Sequence, residues 1–323
     1  MPSPQAVTVP LRVKSAIRRE PPAAGAGLRI ALYQGEGQVG DRAAVEANLA
    51  RLEEVVPFAR WYGAHVAVFP EKYPSGYAIT ERQLKDEGLA EPADGAMLAH
   101  VRAVAQAHGI AVVLPYAEVA AGPGGKRYYD SIAFIGPDGA LLSNYRKTHL
   151  YGAAERRNYS FGDELPPVNL VNGVPVGILN CYECEFPELY RHLAAKGAKL
   201  IIGPTAADGH FPLADGRPTQ VAYPDATEHI IPALAAIYRV FVAYCNRRGW
   251  ERVPGVGCWQ YQGNSGVWAP DGKAVLASGP EERSNDTLFV ADCLPAEHPP
   301  FSPEGNHLTD CRLAPGGSLL PGR

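Results

Sequence analysis

The sequence predicts an α/β protein built as one large layered domain. Short apolar runs typical of buried strands alternate with longer segments whose apolar residues recur at helical spacing. A strand–helix–strand unit occurs twice along the chain, which indicates two related halves of one fold. The chain has 323 residues, of which 46% are hydrophobic, so it can bury a single large core.

Residues 1–27 are expected to form an N-terminal tail or a wrapping arm, because they are rich in proline and show no amphipathic period. Their basic residues precede no apolar secretory segment, so we expect a cytoplasmic protein, with a transit peptide as the alternative. The six cysteines have no dense spacing, which is typical of free thiols in a reducing compartment.

The first half of the core begins with an apolar strand over 28–34. A helix is expected over 41–62, where apolar residues recur at helical spacing and Pro57 should introduce a kink. Gly63 ends this helix, and a second apolar strand over 64–69 follows. These two strands are therefore joined by one helical crossover.

A second helix and three strands complete the first half. The helix is expected over 94–108, where Gly109 stops it. The strands are expected over 110–116, 131–135 and 140–145, and a Pro-Asp-Gly turn joins the last two.

The second half repeats the order of the first. An apolar strand over 174–179 precedes a helix that begins near Pro187, a residue that suits the first helical turn. In each half a Gly-Ala pair, at 63–64 and 197–198, then opens the next strand. This similarity predicts a duplicated unit.

The remaining segments are a polar loop, a last strand–helix unit and a C-terminal extension. The loop over 205–225 is long enough to suspect a functional lid. A helix over 226–239, a strand over 240–244 and a hairpin around 270–272 finish the core, which spans residues 28–293. Residues 294–323 show no period, so we expect them to pack along the surface or against a second subunit.

Charge and hydropathy favour a small-molecule partner. The formal charge of −4 provides no basic patch for nucleic acid, and no run of 18 apolar residues could cross a bilayer. We therefore expect neither a nucleic-acid partner nor a membrane.

Chemically reactive side chains follow three of the predicted strands. Glu71 comes after the strand over 64–69, Lys147 after the strand over 140–145, and Cys181 after the strand over 174–179. If these strands share a sheet, a carboxylate, an ammonium and a thiol meet at one edge. Those are the parts of an acyl-transfer site: a general base, an oxyanion stabiliser and a nucleophile.

The motifs around these three residues resemble those of the nitrilase superfamily of carbon–nitrogen hydrolases. Within it the chain is most similar to aliphatic amidases such as 5-aminopentanamidase and to stereoselective amide hydrolases. The resemblance covers roughly residues 28–312. The matching motifs lie at 69–77, 145–152, 180–188, 204–206, 241–246, 263–265 and 308–310.

The resemblance implies an α-β-β-α sandwich and a mechanism without cofactor or metal. Glu71 would take the proton of Cys181, whose thiolate would attack an amide carbon to give a thioester. Lys147 and the backbone N–H of Tyr182 would hold the oxyanion, and Glu155 would position Lys147 or the hydrolytic water. The resemblance also implies a homodimer or a larger even homo-oligomer.

Several residues depart from the usual pattern of the family. Glu183 stands where aspartate is usual, and Lys72 often has an apolar counterpart. The loop over 205–225 is longer than in the nearest relatives. These departures leave the substrate open.

Substrate-binding residues are expected among the aromatic and acidic side chains near the motifs. The aromatic candidates for the pocket wall are Tyr73, Tyr77, Tyr182 and Tyr223. The candidates for binding a substrate amine are Asp208, Asp215 and Asp225. The favoured reaction is hydrolysis of a small aliphatic amide, with an ω-amino amide as one form of it.

Other reactions remain open at this stage. An N-carbamoyl hydrolase or a nitrilase would use the same nucleophile, although nitrilases usually carry Cys-Trp-Glu where this chain has Cys-Tyr-Glu at 181–183. The spacing of Cys181 and Cys184 also fits a redox or metal-binding pair, but no second Cys-x-x-Cys supplies the other ligands of a zinc site.

Overall fold

The computed structural model describes residues 10–213, 217–220, 222, 224–254, 256–298 and 305–312. The strands are β1 (Arg12–Ala16), β2 (Leu28–Gln34), β3 (Val66–Val68), β4 (Ala111–Gly122), β5 (Gly125–Ile135), β6 (Leu141–Arg146), β7 (Val168–Val171), β8 (Val174–Ile178), β9 (Leu200–Thr205), β10 (Asp208–His210), β11 (Phe241–Asn246), β12 (Arg248–Val253), β13 (Gly257–Gln262), β14 (Gly266–Trp268), β15 (Ala274–Ala277) and β16 (Thr287–Cys293). The helices are α1 (Arg42–Trp61), α2 (Glu81–Lys85), α3 (Ala96–His108), α4 (Gly152–Asn158), α5 (Pro187–Ala195), α6 (Ala226–Tyr238), α7 (Pro280–Arg283) and α8 (His307–Asp310), with short 3-10 helices at Cys181–Glu185 and Pro295–Glu297.

Two large sheets form the centre of the molecule. The first has the order β1-β16-β2-β3-β4-β5-β6, and the second has the order β15-β14-β11-β9-β8-β7. Parallel pairs join β2, β3 and β4 in the first sheet and β8, β9 and β11 in the second. The remaining pairs of both sheets are antiparallel, apart from the edge strand β1, which lies parallel to β16.

The predicted duplication is visible in the strand pairing. Read from β16 to β6, the first sheet has one antiparallel, two parallel and two antiparallel pairs. Read from β7 to β15, the second sheet has the same succession. In this alignment β3 corresponds to β9 and α1 to α5, which agrees with the repeated Gly-Ala pairs.

Three apolar layers hold the sheets and helices together. Alternate residues of each strand point to opposite faces, so Ile30 of β2 enters the layer between the sheets while Ala31 faces helices α1 and α3. In the second sheet Ile202 faces the first sheet, whereas Ile201 faces α5 and α6. The result is the predicted α-β-β-α sandwich.

The helix boundaries follow from local chemistry. The Asp41 carboxylate caps α1 by accepting from the N–H of Ala44, and the helix continues through Pro57. Gly109 ends α3 with a φ of 58°, a left-handed conformation that glycine adopts at little cost.

The structure adds elements that the sequence patterns did not indicate. Residues 12–16, within the expected N-terminal tail, form the edge strand β1 because they pair with β16. Part of the expected polar loop forms β10, which joins β12 and β13 in a separate three-stranded sheet. All six cysteines are free. None of the helices in the described ranges is long and apolar enough to cross a membrane.

Candidate active site

Glu71 lies just beyond β3, where backbone contacts fix its position. Its N–H donates to the carbonyl of Thr205 at 3.3 Å. The buried guanidinium of Arg247 donates to the carbonyls of Glu71 and Lys72, at 2.9 Å in each case. Lys72 has a φ of 46°, a left-handed conformation that costs a non-glycine residue about 1–2 kcal/mol. Arg247 therefore stabilises a strained backbone directly beside Glu71.

Lys147 follows β6 and is tied to its surroundings through its main chain. Its N–H donates to the carbonyl of Asp130 at 2.8 Å, and its carbonyl accepts from Gly162 at 2.9 Å. The Nζ of Lys147 lies 2.6 Å from Oε1 of Glu71 and 3.0 Å from Oε2 of Glu155. The side chains of Lys147 and Glu71 are both 0% exposed.

Glu155, in α4, is buried, and both of its carboxylate oxygens accept hydrogen bonds. Its Oε1 accepts from the hydroxyl of Tyr77 at 2.8 Å, and its Oε2 accepts from the N–H of Tyr151 at 2.7 Å. With the Lys147 ammonium as a third partner, the carboxylate has one orientation. Glu155 thus connects Lys147 to the pocket residue Tyr77.

Cys181 is the first residue of the 3-10 helix that follows β8. Its φ of 53° is left-handed, a strained geometry that is common for residues at functional sites. The backbone N–H of Ala206 donates to its sulfur. The thiol interacts electrostatically with Glu71, Lys147 and Glu155.

Glu183 joins the cysteine loop to the lysine loop. Its Oε2 accepts from the N–H of Asn180 at 3.0 Å. Its Oε1 accepts from the N–H of Thr148 at 2.8 Å and from the hydroxyl of Tyr145 at 2.7 Å. Burial acts to raise the pKa of Glu183, but hydrogen bonds from His149, Tyr145, Thr148 and Asn180 outweigh it and lower that pKa. The carboxylate therefore stays ionised and fixes Cys181 relative to Lys147.

The three strand-end residues do not share a sheet. Glu71 and Lys147 follow strands of the seven-stranded sheet, whereas Cys181 follows β8 of the six-stranded sheet. They meet because the two sheets face each other and their strand ends open on the same side. The expectation of a single sheet edge was wrong in this respect.

Two further charged residues complete the cluster. The Oδ2 of Asp130 lies 3.6 Å from the Nζ of Lys72 and 3.7 Å from the Nζ of Lys147. Lys72 also lies 3.8 Å from Glu155, and its ammonium sits 4.0 Å from the ring centroid of Tyr77. The buried cluster therefore contains three carboxylates and two ammonium groups.

The three carboxylates could in principle hold a metal ion. One oxygen from each of Glu71, Asp130 and Glu155 lies within 4.8 Å of the others. The ammonium of Lys147, however, contacts all three, at 2.6, 3.7 and 3.0 Å respectively. An ammonium group therefore already occupies the position between the carboxylates that a cation would take, so this donor set does not fit a metal site.

The ionisation of the cluster follows from burial and mutual charge. Burial raises the pKa of Glu71 to about 8; the charges of Asp130 and Glu155 act in the same direction, and Lys147 and Lys72 oppose them. Burial acts to lower the pKa of Lys147, but the charges of Glu155, Glu71 and Asp130 outweigh it and hold that pKa well above its usual value. Burial, followed by the charge of Glu71, raises the pKa of Cys181. The thiol therefore needs a base to become a nucleophile.

A pocket opens at Cys181. Its described lining consists of Tyr77, Tyr151, Cys181, Tyr182, Glu185, Ala206, Ala207 and Asp208. The free volume is about 20 Å³. Three tyrosine rings thus form part of the wall, with carboxylates at 185 and 208.

Some of the expected pocket residues lie elsewhere. Tyr73 is buried against Tyr33 and Phe69 in the layer under α1, so its prediction as a wall residue was wrong. Asp225 caps α6 and pairs with Arg283 at 3.0 Å, which makes it a structural residue and not an amine site of this pocket. Tyr223 and Asp215 lie outside the described residues.

Cys181 and Cys184 lie in different environments. Cys184 is 0% exposed and belongs to the apolar layer under α5 and α6, whereas Cys181 lines the pocket. A dithiol function requires two sulfurs open to the same partner. The placement therefore favours a single nucleophilic thiol over a redox pair.

The fold and the site together define a class: hydrolases of the nitrilase superfamily that act on amide carbon–nitrogen bonds. The chain belongs to the carbon–nitrogen hydrolase family, whose sequence profile matches residues 29–294.

Individual relatives agree with this assignment. A protein of Pseudomonas protegens named hydrolase in pqqF 5′ region is 34% identical over 255 residues, covering 79% of this chain and 80% of the relative. An (R)-stereoselective amidase of Pseudomonas sp. is 38% identical over 175 residues, covering 54% and 59%. Among solved structures, a cysteine-to-alanine variant of the amidase from Nesterenkonia sp. AN1 in complex with butyramide has a TM-score of 0.69 at 28% identity, covering 89% of this chain and 95% of the amidase.

Sequence reasoning missed three residues that shape the site. Asp130 and Arg247 resemble ordinary polar residues at strand ends, and no local pattern shows that they are buried. For Glu183 a signal exists, because Asn180-x-x-Glu183 has the spacing of a capping box, and the structure contains the half in which the Glu183 carboxylate accepts from the N–H of Asn180.

Proposed function

We propose that the protein hydrolyses a small aliphatic amide to a carboxylic acid and ammonia, with Cys181 as nucleophile, Glu71 as general base and acid, and Lys147 as oxyanion stabiliser. The observation that supports this most strongly is the buried contact between Glu71 and Lys147 beside the thiol of Cys181. Such a site can move a proton and stabilise an anion in a water-poor environment.

In the first half-reaction the Glu71 carboxylate accepts the Cys181 proton while the sulfur attacks the amide carbon. The carbonyl oxygen becomes an oxyanion that Lys147 and the backbone N–H of Tyr182 stabilise. Tyr182 is the second residue of a 3-10 helix, where an N–H has no acceptor within the helix. Each such donor contributes about 3–4 kcal/mol to catalysis. Glu71 then protonates the nitrogen, ammonia leaves, and a thioester remains.

In the second half-reaction Glu71 takes a proton from water. The resulting hydroxide attacks the thioester carbon, the acid is released, and Cys181 regains a proton from Glu71. Glu155 keeps Lys147 oriented toward the oxyanion in both half-reactions through its contact at 3.0 Å.

We further propose that the substrate carries a positive charge at its far end, as an ω-amino amide does. Asp208 lines the pocket, is 7% exposed, and forms no ion pair with a lysine or arginine in the described part of the chain; the basic group that acts on it is His210. Burial, followed by the charge of Glu155, raises its pKa to about 6, so it is mostly ionised at neutral pH. A substrate ammonium would supply the missing counter-charge.

An ammonia-release assay with matched substrates tests this proposal. We expect 5-aminopentanamide to be hydrolysed at least about tenfold faster than pentanamide, in terms of kcat/KM, because of the charge pair. Asp208→Asn should remove this preference, whereas Asp94→Asn, at an exposed turn residue, should preserve it. Equal rates on both amides in the unmodified enzyme would contradict the amine-binding role.

The same assay distinguishes other carbon–nitrogen substrates. An N-carbamoyl amine and a nitrile of equal chain length belong in the panel, because they would use the same nucleophile.

The even homo-oligomer and the cytoplasmic location remain predictions. Sedimentation velocity tests the first, and monomers at micromolar concentration would exclude it.

A further inference from the structure

The buried cluster contains two carboxylate oxygens whose hydrogen-bonding capacity is unused. The Oε2 of Glu71 and the Oδ2 of Asp130 are both buried, and neither has a hydrogen-bond donor among the residues that the structure describes. The other oxygen of each residue is satisfied, by Lys147 at 2.6 Å and by Asn180 at 2.9 Å. Two buried acceptors without a donor are costly, unless a proton lies between them.

The charge count of the cluster points to the same conclusion. Three carboxylates and two ammonium groups leave one negative charge uncompensated in a region that excludes water. One added proton makes the cluster neutral. The side chains of Glu71 and Asp130 are within hydrogen-bonding reach of each other, so one proton can bridge them.

We infer that Asp130, with Lys72 as its counter-ion, is a positioning residue that sets the protonation of Glu71 by sharing one proton with it. The Lys72 ammonium lies 3.6 Å from Asp130, beyond a normal hydrogen-bond length, and contacts the rings of Tyr77 and Tyr159 at 4.0 and 4.7 Å. It therefore acts mainly as a charge. This inference rests on the proposed role of Glu71 as the base.

The shared proton fits the chemistry of the reaction. At higher pH the pair loses the shared proton to bulk water, and Glu71 is then a carboxylate that can accept the Cys181 proton: the S–H bond breaks and an O–H bond forms. The new proton occupies the same position between Glu71 and Asp130 until the leaving nitrogen takes it. Asp130 also accepts a hydrogen bond from the side chain of Asn180, the residue before Cys181. The shared proton and the thiol are therefore linked through neighbouring residues.

Other charges act on the pair as well. The groups that interact with Glu71 or Asp130 are Lys72, Lys147, Glu155, Cys181, Tyr77 and Tyr159. Among them, Lys72 and Asp130 act on Glu71 in opposite directions, because the ammonium favours its ionised form and the carboxylate disfavours it. Replacing them one at a time should therefore move the pH dependence in opposite directions.

The test measures the rate at which iodoacetamide alkylates Cys181, by peptide mass spectrometry, from pH 5 to pH 10. The acid limb is the pH range over which the alkylation rate falls as the solution becomes more acidic. In Asp130→Asn the new amide can donate to Glu71, so the acid limb should move down by about one pH unit. In Lys72→Met the limb should move up by about one unit. Lysine and methionine have a similar preference against the left-handed conformation at residue 72, so the backbone strain there is unchanged in Lys72→Met. The double variant should return the limb to within about half a unit of the unmodified enzyme.

The controls separate this inference from the proposed function. Asp94→Asn and Lys126→Met, at exposed positions, should leave the limb unchanged, and thermal unfolding followed by circular dichroism checks that each variant folds. A limb that is present in the unmodified enzyme but does not move in the single variants, or moves the same way in both, would overturn the shared proton alone. If the unmodified enzyme has no acid limb, the role of Glu71 as base fails, and this inference fails with it.

Discussion

The ammonium of Lys147 lies 2.6 Å from a carboxylate oxygen of Glu71, and neither side chain is exposed to solvent. An ion pair in such a place costs several kcal/mol of desolvation for each charge, which a merely structural role would rarely justify. The catalytic roles proposed for the two residues would account for this cost, because a base and an oxyanion-stabilising cation act best where water is excluded.

Removing the base should abolish most of the activity while leaving the shape of the site intact. We expect Glu71→Gln to reduce kcat for amide hydrolysis by about 10³-fold, the usual contribution of a positioned general base. The amide still accepts from Lys147, so the fold should persist. A loss of less than tenfold in the steady-state rate would contradict the role of Glu71.

The raised pKa of Glu71 predicts the pH dependence of catalysis. Because burial and the neighbouring carboxylates raise that pKa to about 8, the ionised base becomes abundant only above this pH. The value of kcat/KM should therefore rise with pH and level off above about 8. A profile that is already flat from pH 6 upward would show that Glu71 is ionised at neutral pH.

The same shift predicts how stability changes with pH. A raised pKa means that the folded protein keeps a proton which the unfolded chain loses, so stability from this group is complete below the unfolded pKa and is lost as the pH rises toward about 8. Glu71→Gln, which is neutral throughout, should gain thermal stability relative to the unmodified protein as the pH rises from 5 to 9. Melting curves at both pH values measure this, and a constant difference would contradict it.

Glu183 should matter for both folding and catalysis, since it connects the loops that carry Cys181 and Lys147. In Glu183→Gln an amide NH₂ must face either the N–H of Asn180 or the donors around Thr148, so a repulsive contact replaces a hydrogen bond. We expect a loss of about 2–4 kcal/mol in the free energy of unfolding and about 100-fold in kcat.

The control for this prediction lies nearby. Glu188 is exposed in the first turn of α5, so Glu188→Gln should change both quantities very little. If urea denaturation gave the same small effect for Glu183→Gln, the carboxylate would not hold the two loops together.

Cys184 should be dispensable for hydrolysis. It lies in the apolar layer under α5 and α6, away from the pocket. Cys184→Ala should keep kcat within about threefold of the unmodified enzyme and lower stability by about 1–2 kcal/mol through the small cavity that it leaves. Loss of hydrolysis by a well-folded Cys184→Ala variant would revive a function that needs both sulfurs.

The sequence was most informative where chemistry is local. Apolar runs followed by Glu71, Lys147 and Cys181 predicted where these side chains lie, because a strand and the turn after it are encoded within a few residues, and the structure brings the three together. The duplicated order of strands and helices also predicted the two related sheets, which their pairing pattern confirms.

Contacts between distant segments could not be read from local patterns. Asp130 and Arg247 are ordinary polar residues in the sequence, and only the pairing of β5 with β6 and the course of the chain after β11 bury them beside Glu71. The edge strand β1 forms for a similar reason, since it depends on pairing with β16, more than 270 residues away. Tyr73 was misplaced because one aromatic in a motif cannot indicate which face of the sheet it covers.

The central claim is that Cys181 forms a thioester with the acyl part of the substrate. The most direct test is to quench a reaction with 5-aminopentanamide in acid within milliseconds and to measure the mass of the peptide that contains Cys181. We predict an added mass equal to the acyl group on Cys181, and neither adduct nor ammonia release in Cys181→Ala. Undiminished ammonia release by Cys181→Ala, or an acyl group on another residue, would contradict the account.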